Sequence, residues 1–354
     1  RLKHFYLFPT KNLHSWRMNA KEFVHDLAPF FKHENGTYRN EISNSLIQQL
    51  FEKKLFKLFL PQALGGLELG MIDTLAVIRD AAYLNGSLGW LIQIGNGGMY
   101  FATNFAEEIS TQLFSPADAV IAGSGTVNGT CVDVDGGVCI SGSWKYCSGS
   151  GYATLFTVTV MRADGTVCAA ILPKKDITIL NDWQTIGLTQ TSTNTIVLDD
   201  VFVPHQNIFS VFERKSFKDY AVFNLPFLIY AQAFFSGVSF GIFERLLHEA
   251  EQVNNQKQLP NVVLSDCIQQ GKAMLQQAIA QSNQWVTDIQ NRTSELSTEE
   301  DLQIQQAYKT LVKQIRNHAH ELHAHLGMHG LYAQNTFTIF YLDLLAASQH
   351  KLLN

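Results

Sequence analysis

Five histidines crowd into the twelve residues HAHELHAHLGMH near the C-terminus, the densest run of possible bases or metal ligands in the chain. A zinc-protease helix needs its second histidine at i+4. Here His320-Glu321-Leu322-His323 places it at i+3, and Ala324 stands at i+4. On a helix His318, His325 and His329 share roughly one face, a spacing that permits a metal pair. A polar helix face beside a cofactor or a subunit contact is the reading adopted, and no metal is expected. The five cysteines (Cys131, Cys139, Cys147, Cys168, Cys267) are odd in number and contain no C-x-x-C, which points to reduced thiols in a cytoplasmic protein. No Gly-x-Gly-x-x-Gly follows a strand-like run, so a nicotinamide Rossmann site is not indicated.

The elements that must position such residues belong to a chain of 354 residues, long enough for two or three domains. Charged residues make up 16% and apolar residues 46%, with 24 Phe, so some apolar surface is expected to lie between subunits. A net charge of −5 without a basic stripe argues against nucleic acid as a partner. The opening RLKHFYLFPT does not begin with Met and has no signal-peptide core. The uncharged stretch 221–243 is long enough to span a bilayer, but its Asn, Pro, Gln and Ser residues favour a helix buried in a bundle or subunit interface. No membrane association is expected.

Residues 1–115 read as helical. In EISNSLIQQLFEKKLFKLFLP the residues Ile42, Leu46, Leu50, Leu55 and Leu58 recur at helical spacing until Pro61, and MIDTLAVIRDAAYLNGSLGWLIQIGNGG reads as a further apolar helix. Residues 116–212 read as a β-domain of short β-branched runs, with hairpin turns at Asp135-Gly136-Gly137 and Asp164-Gly165. Residues 213–354 return to long helices, enough for a four-helix bundle.

Four segments in order resemble the acyl-CoA dehydrogenase superfamily: LFKLFLPQALGGLEL, SGSWKYCSGSGYATLFTV, IGLTQTSTNTIVLDDVFVP and HGLYAQNTFTIFYLDLLAASQHKLLN. The resemblance implies an α+β multidomain fold with an N-terminal helical domain, a central β-barrel-like domain and a C-terminal four-helix bundle. Within the superfamily, Tyr146-Cys147-Ser148-Gly149 and the ending Ala346-Ala347-Ser348-Gln349-His350 are similar to the branch of two-component flavin-dependent monooxygenases. Those enzymes take reduced flavin from a partner reductase and use oxygen on aromatic or other small substrates. The resemblance therefore implies FAD or FMN as cofactor, a flavin reductase as partner, a small-molecule substrate and a homotetramer.

It also implies the site. His350 faces flavin and substrate as an acid or base, and Ser148 presents its hydroxyl to the N5/O4 edge of the ring. Trp144, Tyr146, Cys147 and Gly149 belong to the strand beside the flavin, with Trp144 packing under the cofactor or in the barrel core. Ser124 and Gly125 in AGSGTVNG, and Thr191, Ser192 and Thr193, approach the ring from neighbouring strands. The carboxylate that a dehydrogenase uses to abstract an α-proton has no counterpart. The last helix offers only Asp343, several residues early, and the alternative position aligns with Ala231. Losing a general base commonly costs ~10²–10⁴ in rate. A dehydrogenase acting on CH–CH groups, or a silent member that keeps the fold, is the alternative. Three positions depart from the branch: Gly98 stands where a second histidine is common, Leu342 where an Arg precedes the Asp, and no basic residue for a pyrophosphate is evident after the buried helix.

Overall fold

The computed structural model describes residues 23–354. The opening RLKHFYLFPT and the rest of residues 1–22, the start of the expected helical region, lie outside the described residues. Helices precede one sheet, and a helical bundle follows it, the architecture expected from the sequence.

Helix α1 (Asn44–Glu52) is capped by the Ser43 side chain and buries Leu46, Ile47 and Leu50. It does not continue to Leu58 as the apolar spacing suggests. Lys54 takes a left-handed φ of 56°, and the chain beyond it runs alongside residues 67–69. Leu67 N–H donates to Lys57 O and Leu69 N–H to Leu58 O, while Asn96 Oδ1 accepts from Leu58 N–H. Leu55 and Leu58 are still fully buried, so the core positions were legible and the backbone path was not. Between them Lys57 is buried, its Nζ donating to Phe114 O at 2.7 Å and Pro116 O at 2.6 Å. Burial lowers its pKa to about 8. The ammonium satisfies carbonyls at the end of α4 (Glu107–Phe114) that the helix cannot pair itself.

The second expected helix is two. Helices α2 (Met71–Leu84) and α3 (Gly86–Met99) are separated by Asn85, which is extended (φ −160°, ψ 127°) and caps α3 by accepting from Leu88 N–H. An Asn-Gly pair inside an apolar run suits an N-cap better than a helix interior. The break lets α3 turn its Trp90 toward the sheet.

Among the described residues seven strands make one sheet, in the order β5-β6-β2-β1-β3-β4-β7. They are β1 (Ile121–Val134), β2 (Gly137–Cys147), β3 (Leu155–Arg162), β4 (Val167–Pro173), β5 (Thr178–Leu180), β6 (Asn194–Pro204) and β7 (Ile208–Phe209). Both expected hairpins are present, β1–β2 and β3–β4, with Gly136 and Gly165 at φ 77° and 84°. The β1–β3 pairing is parallel. Two irregularities matter for function. The β1–β3 register shifts between Ser124 and Val127, and the β2–β6 register shifts between Trp144 and Cys147. Bulges of this kind re-aim side chains out of the ladder.

The bundle comprises α5 (Phe227–Asn255), α6 (Val262–Gln290), α7 (Thr298–Leu326) and α8 (Thr336–Ala347). The uncharged stretch forms the first half of α5, and every residue from Ile229 to Phe243 is buried. Helices α2, α3, α6, α7 and α8 all pack on α5. One chain thus covers it, and its lack of charge carries no argument for a second subunit.

In the histidine run, His318 is buried and its Nε2 donates to Cys267 O at 2.8 Å. Cys267, His318 and Glu321 cluster, with one possible ligand atom of each within 4.8 Å of the others; the thiol lies by Nε2 and the carboxylate by Nδ1. His320 pairs with the Tyr341 hydroxyl, and the His323 ring stacks on Tyr341. His329 lies beyond the end of α7.

Candidate active site

The site forms where β2 ends. At its bulge Tyr146 adopts φ 67° and is 70% exposed, and Gly149 follows at φ 78°. This double reversal separates the flanking side chains. Trp144 and Cys147 point into the sheet: the Trp144 ring lies against Gly129 and Gly142, and its Nε1 donates to Thr159 O at 3.1 Å. The Cys147 thiol, pushed up to about 12 by burial and then by Asp182, donates to Trp144 O. Ser148 turns the other way, toward α3.

There Trp90 Nε1 donates to Ser148 Oγ at 2.9 Å. Ser148 Oγ lies 2.8 Å from Thr193 Oγ1, which lies 2.6 Å from Thr191 Oγ1, and Thr191 Oγ1 donates to Leu188 O at 2.8 Å. Four side chains from three elements form one hydrogen-bonded chain. Gly149 N–H donates to Thr191 O, locking the two turns together. Ser192 has φ 45°, and its carbonyl accepts from Ser150 Oγ.

His350 closes the cluster from the bundle side. Its ring stacks on Phe235 of α5 with centroids 3.8 Å apart, and lies edge-on to Trp90 at 6.0 Å. Gln232, one turn before Phe235, donates from Nε2 to Leu352 O at 2.8 Å and so holds the tail that carries the histidine. Lys351 Nζ reaches Thr126 Oγ1 at 3.4 Å, bringing the Ser124-Gly125 bend of β1 to the same place. A side chain at Gly125 would meet nothing within 4 Å. Burial, then the neighbouring Lys351 charge, lowers the His350 pKa to about 4, so the imidazole is neutral at pH 7.

Asp343 ties these elements from behind. Its Oδ1 accepts from Leu188 N–H at 2.6 Å, and Oδ2 is buried without a hydrogen-bond partner. It packs where a Gly86 side chain would sit, at the start of α3. Helix α3's N-terminus favours the anion, but burial dominates and raises the carboxyl to about 7. The acid therefore anchors the 187–193 loop. Gly98, at the position where a second histidine was sought, has no room for any side chain: a Cβ would lie 2.5 Å from Ile121 Cβ.

The structure thus gathers His350, Ser148, Thr191 and Thr193, with the Ser124-Gly125 bend joined through Thr126, and sets Trp144 and Cys147 apart in the sheet. Trp90, Phe235, Gln232 and Asp343 were not assigned from sequence. The first two read as core aromatics, and only their partners distinguish them. The cavity between α2, α5 and α6, lined by Leu75, Arg79, Gly237, Phe240 and Asn283, is separate from these groups. Its charged lining is Asp73, Arg79 and Asp80, with Arg79 Nη2 3.6 Å from Asp80 Oδ1, and none of the residues assigned from the sequence lines it.

Residues 10–116 match the family model for the acyl-CoA dehydrogenase N-terminal domain. The chain superposes on XiaF from Streptomyces sp. in complex with FADH2 and glycerol with a TM-score of 0.86 at 20% identity, covering 96% of this chain and 93% of that one. The chain has the acyl-CoA dehydrogenase-like fold, with its N-terminal helical part matching that family's model. FMN-bound TdsC from Paenibacillus sp. has the same fold, with a TM-score of 0.80 at 17% identity over 96% of this chain and 94% of that one. By sequence, the chain is 30% identical to an indole-3-acetate monooxygenase of Pseudomonas putida over 215 residues, 60% of this chain and 55% of that protein. It is 25% identical to the oxygenase component of a p-hydroxyphenylacetate 3-hydroxylase of Acinetobacter baumannii over 60% of this chain and 54% of that one. The matched stretch spans about half the length of these curated relatives.

Proposed function

We propose that the chain is the oxygenase component of a two-component flavin-dependent monooxygenase. It would take reduced FAD or FMN from a partner reductase and hydroxylate a small organic substrate with oxygen. The observation that carries this reading is His350, a neutral imidazole held between Phe235 and Trp90 beside the Ser148 hydroxyl chain. The relatives named as monooxygenases and hydroxylases support it.

The residues present fit a flavin edge. Ser148 offers an oxygen, Thr191 and Thr193 support it, the Ser124-Gly125-Thr126 bend leaves open space at Gly125, and Tyr146 supplies an exposed ring. Gly149 sets the turn that presents Ser148, while Trp144, Cys147 and Ser192 support that turn from behind. Reduced flavin, when bound, supplies the electrons that activate oxygen. His350 is uncharged near neutral pH and can accept a hydrogen bond from a substrate hydroxyl there; to take the proton outright its pKa would have to rise from about 4 in the loaded site, as a charge developing beside it would make it do. Trp90 and Phe235 form apolar walls that limit water around it. A dehydrogenase would instead need a carboxylate aimed into the cluster, and Asp343 is turned to Leu188 N–H.

Thermal stability tests the reading, since a ligand that binds only the folded state at a hundredfold excess over its Kd adds about 2.7 kcal/mol. Oxidised and reduced FAD and FMN are to be added separately. At least one should raise the Tm, and no shift from any of the four would leave a silent member as the better description.

The assembly in this proposal is a homotetramer located in the cytoplasm. Five free cysteines suit a reducing compartment. Met328, Leu331 and Tyr332, exposed side by side at the end of the bundle, suit a subunit contact. Light scattering should give four times the chain mass, and a monodisperse monomer at micromolar concentration would refute the assembly.

A further inference from the structure

Hydrogen-bond direction along the hydroxyl chain is determined from one end. Leu188 O can only accept, and it lies 2.8 Å from Thr191 Oγ1, so the single Thr191 proton is committed there. Two oxygens at that distance with no proton between them would repel. Thr191 Oγ1, 2.6 Å from Thr193 Oγ1, must then accept from Thr193. Having spent its own proton, Thr193 accepts from Ser148 across 2.8 Å. Trp90 Nε1 can only donate, and it donates to Ser148 from the other side. Ser148 therefore has no proton left to offer. It retains one lone pair.

We infer that Thr191 and Thr193 are positioning residues that hold Ser148 as an acceptor toward the cofactor, so that the site discriminates in favour of reduced flavin. The inference rests on the flavin reading above. A reduced flavin carries N–H at N5 and can donate to Ser148. An oxidised flavin has only acceptors at N5 and O4, and would face the Ser148 lone pair with its own. An unmatched acceptor pair in a buried position is disfavoured. The oxygenase component would in this way take the product of a reductase and release it once reoxidised, with no change of shape required.

Anaerobic titration with FAD in each redox state tests this, with the ratio of the two Kd values as the readout. The parent chain should bind reduced FAD at least about ten-fold more tightly than oxidised FAD, a difference of about 1.4 kcal/mol. In Thr193→Val the Ser148 proton has no acceptor on that side and can turn toward the flavin, so the ratio should fall by about ten-fold, with oxidised FAD gaining affinity. Thr193→Ser keeps the hydroxyl and should restore the parent ratio. Thr191→Val removes the acceptor for Thr193 and should also lower the ratio, which keeps the test available if Thr193→Val fails to fold. If both affinities fall equally in the valine variants, the pair is merely structural and the inference is wrong. If the parent binds neither form, the flavin reading itself falls.

Discussion

Replacing His350 with Asn is expected to lower hydroxylation by roughly 10²-fold or more while leaving flavin binding intact. The magnitude is the usual scale for losing a general acid or base. Asn is close to the imidazole in shape at its polar end but does not titrate. The side chain it replaces stacks on Phe235 at 3.8 Å and makes one weak hydrogen bond, accepting from Leu352 N–H at 3.4 Å, so little tertiary structure depends on its proton chemistry. Oxygen consumption should continue with the reducing equivalents lost as hydrogen peroxide, measured as peroxide released per flavin oxidised. A variant that hydroxylates at the parent rate would remove His350 from the mechanism. One that no longer folds or assembles would make it structural and move the chemistry to Ser148. In the parent, the lowered pKa also has a stability consequence. His350 is protonated in the unfolded chain below 6.5 but resists protonation in the fold down to about 4, so its contribution is full above pH 6.5 and is lost as pH falls toward 4.

Asp343 should show the opposite slope, and Asp343→Asn should abolish it. Its carboxyl titrates near 7 in the fold against 3.8 unfolded. Below pH 3.8 both states hold the proton and burial of the acid is uncharged. Between about 4 and 7 the unfolded chain releases its proton while the folded chain keeps it, so stability drains away as pH rises. Above 7 the loss is complete, on the order of 4 kcal/mol. Asn can still accept from Leu188 N–H, but it carries no charge at any pH. Denaturant unfolding at pH 5 and pH 8 should therefore show the variant gaining on the parent as pH rises, with most of the change between the two values. The His350 contribution is common to both chains and cancels in the difference. A variant-minus-parent difference that does not move with pH would show that burial does not hold the Asp343 proton.

Some of this protein was legible residue by residue. Asp135-Gly136 and Asp164-Gly165 announce hairpins because a tight turn needs positive φ at its glycine, and both turns are where the sequence places them. The three-part order followed from the change from helical apolar spacing to short β-branched runs with hairpin turns, and back to long helices. Ser148 and His350 came from resemblance, since neither spacing nor composition singles out a serine in a turn or a histidine near a chain end.

Tertiary structure decided the rest. Periodicity carried the first helix past Glu52, yet Leu58 lies outside it, with its N–H given to Asn96, 38 residues away. The uncharged half of α5 suggested a subunit interface until five other helices were found around it. Trp90 and Trp144 are both buried tryptophans in the sequence, but one donates to Ser148 across 58 residues and the other to a strand carbonyl inside the sheet. Sequence alone specifies turns, caps and apolar faces because these depend on neighbours within a few residues. Which hydroxyl gives its proton to which depends on partners brought together only by packing, and that is why the polarity of Ser148 is a property of the fold.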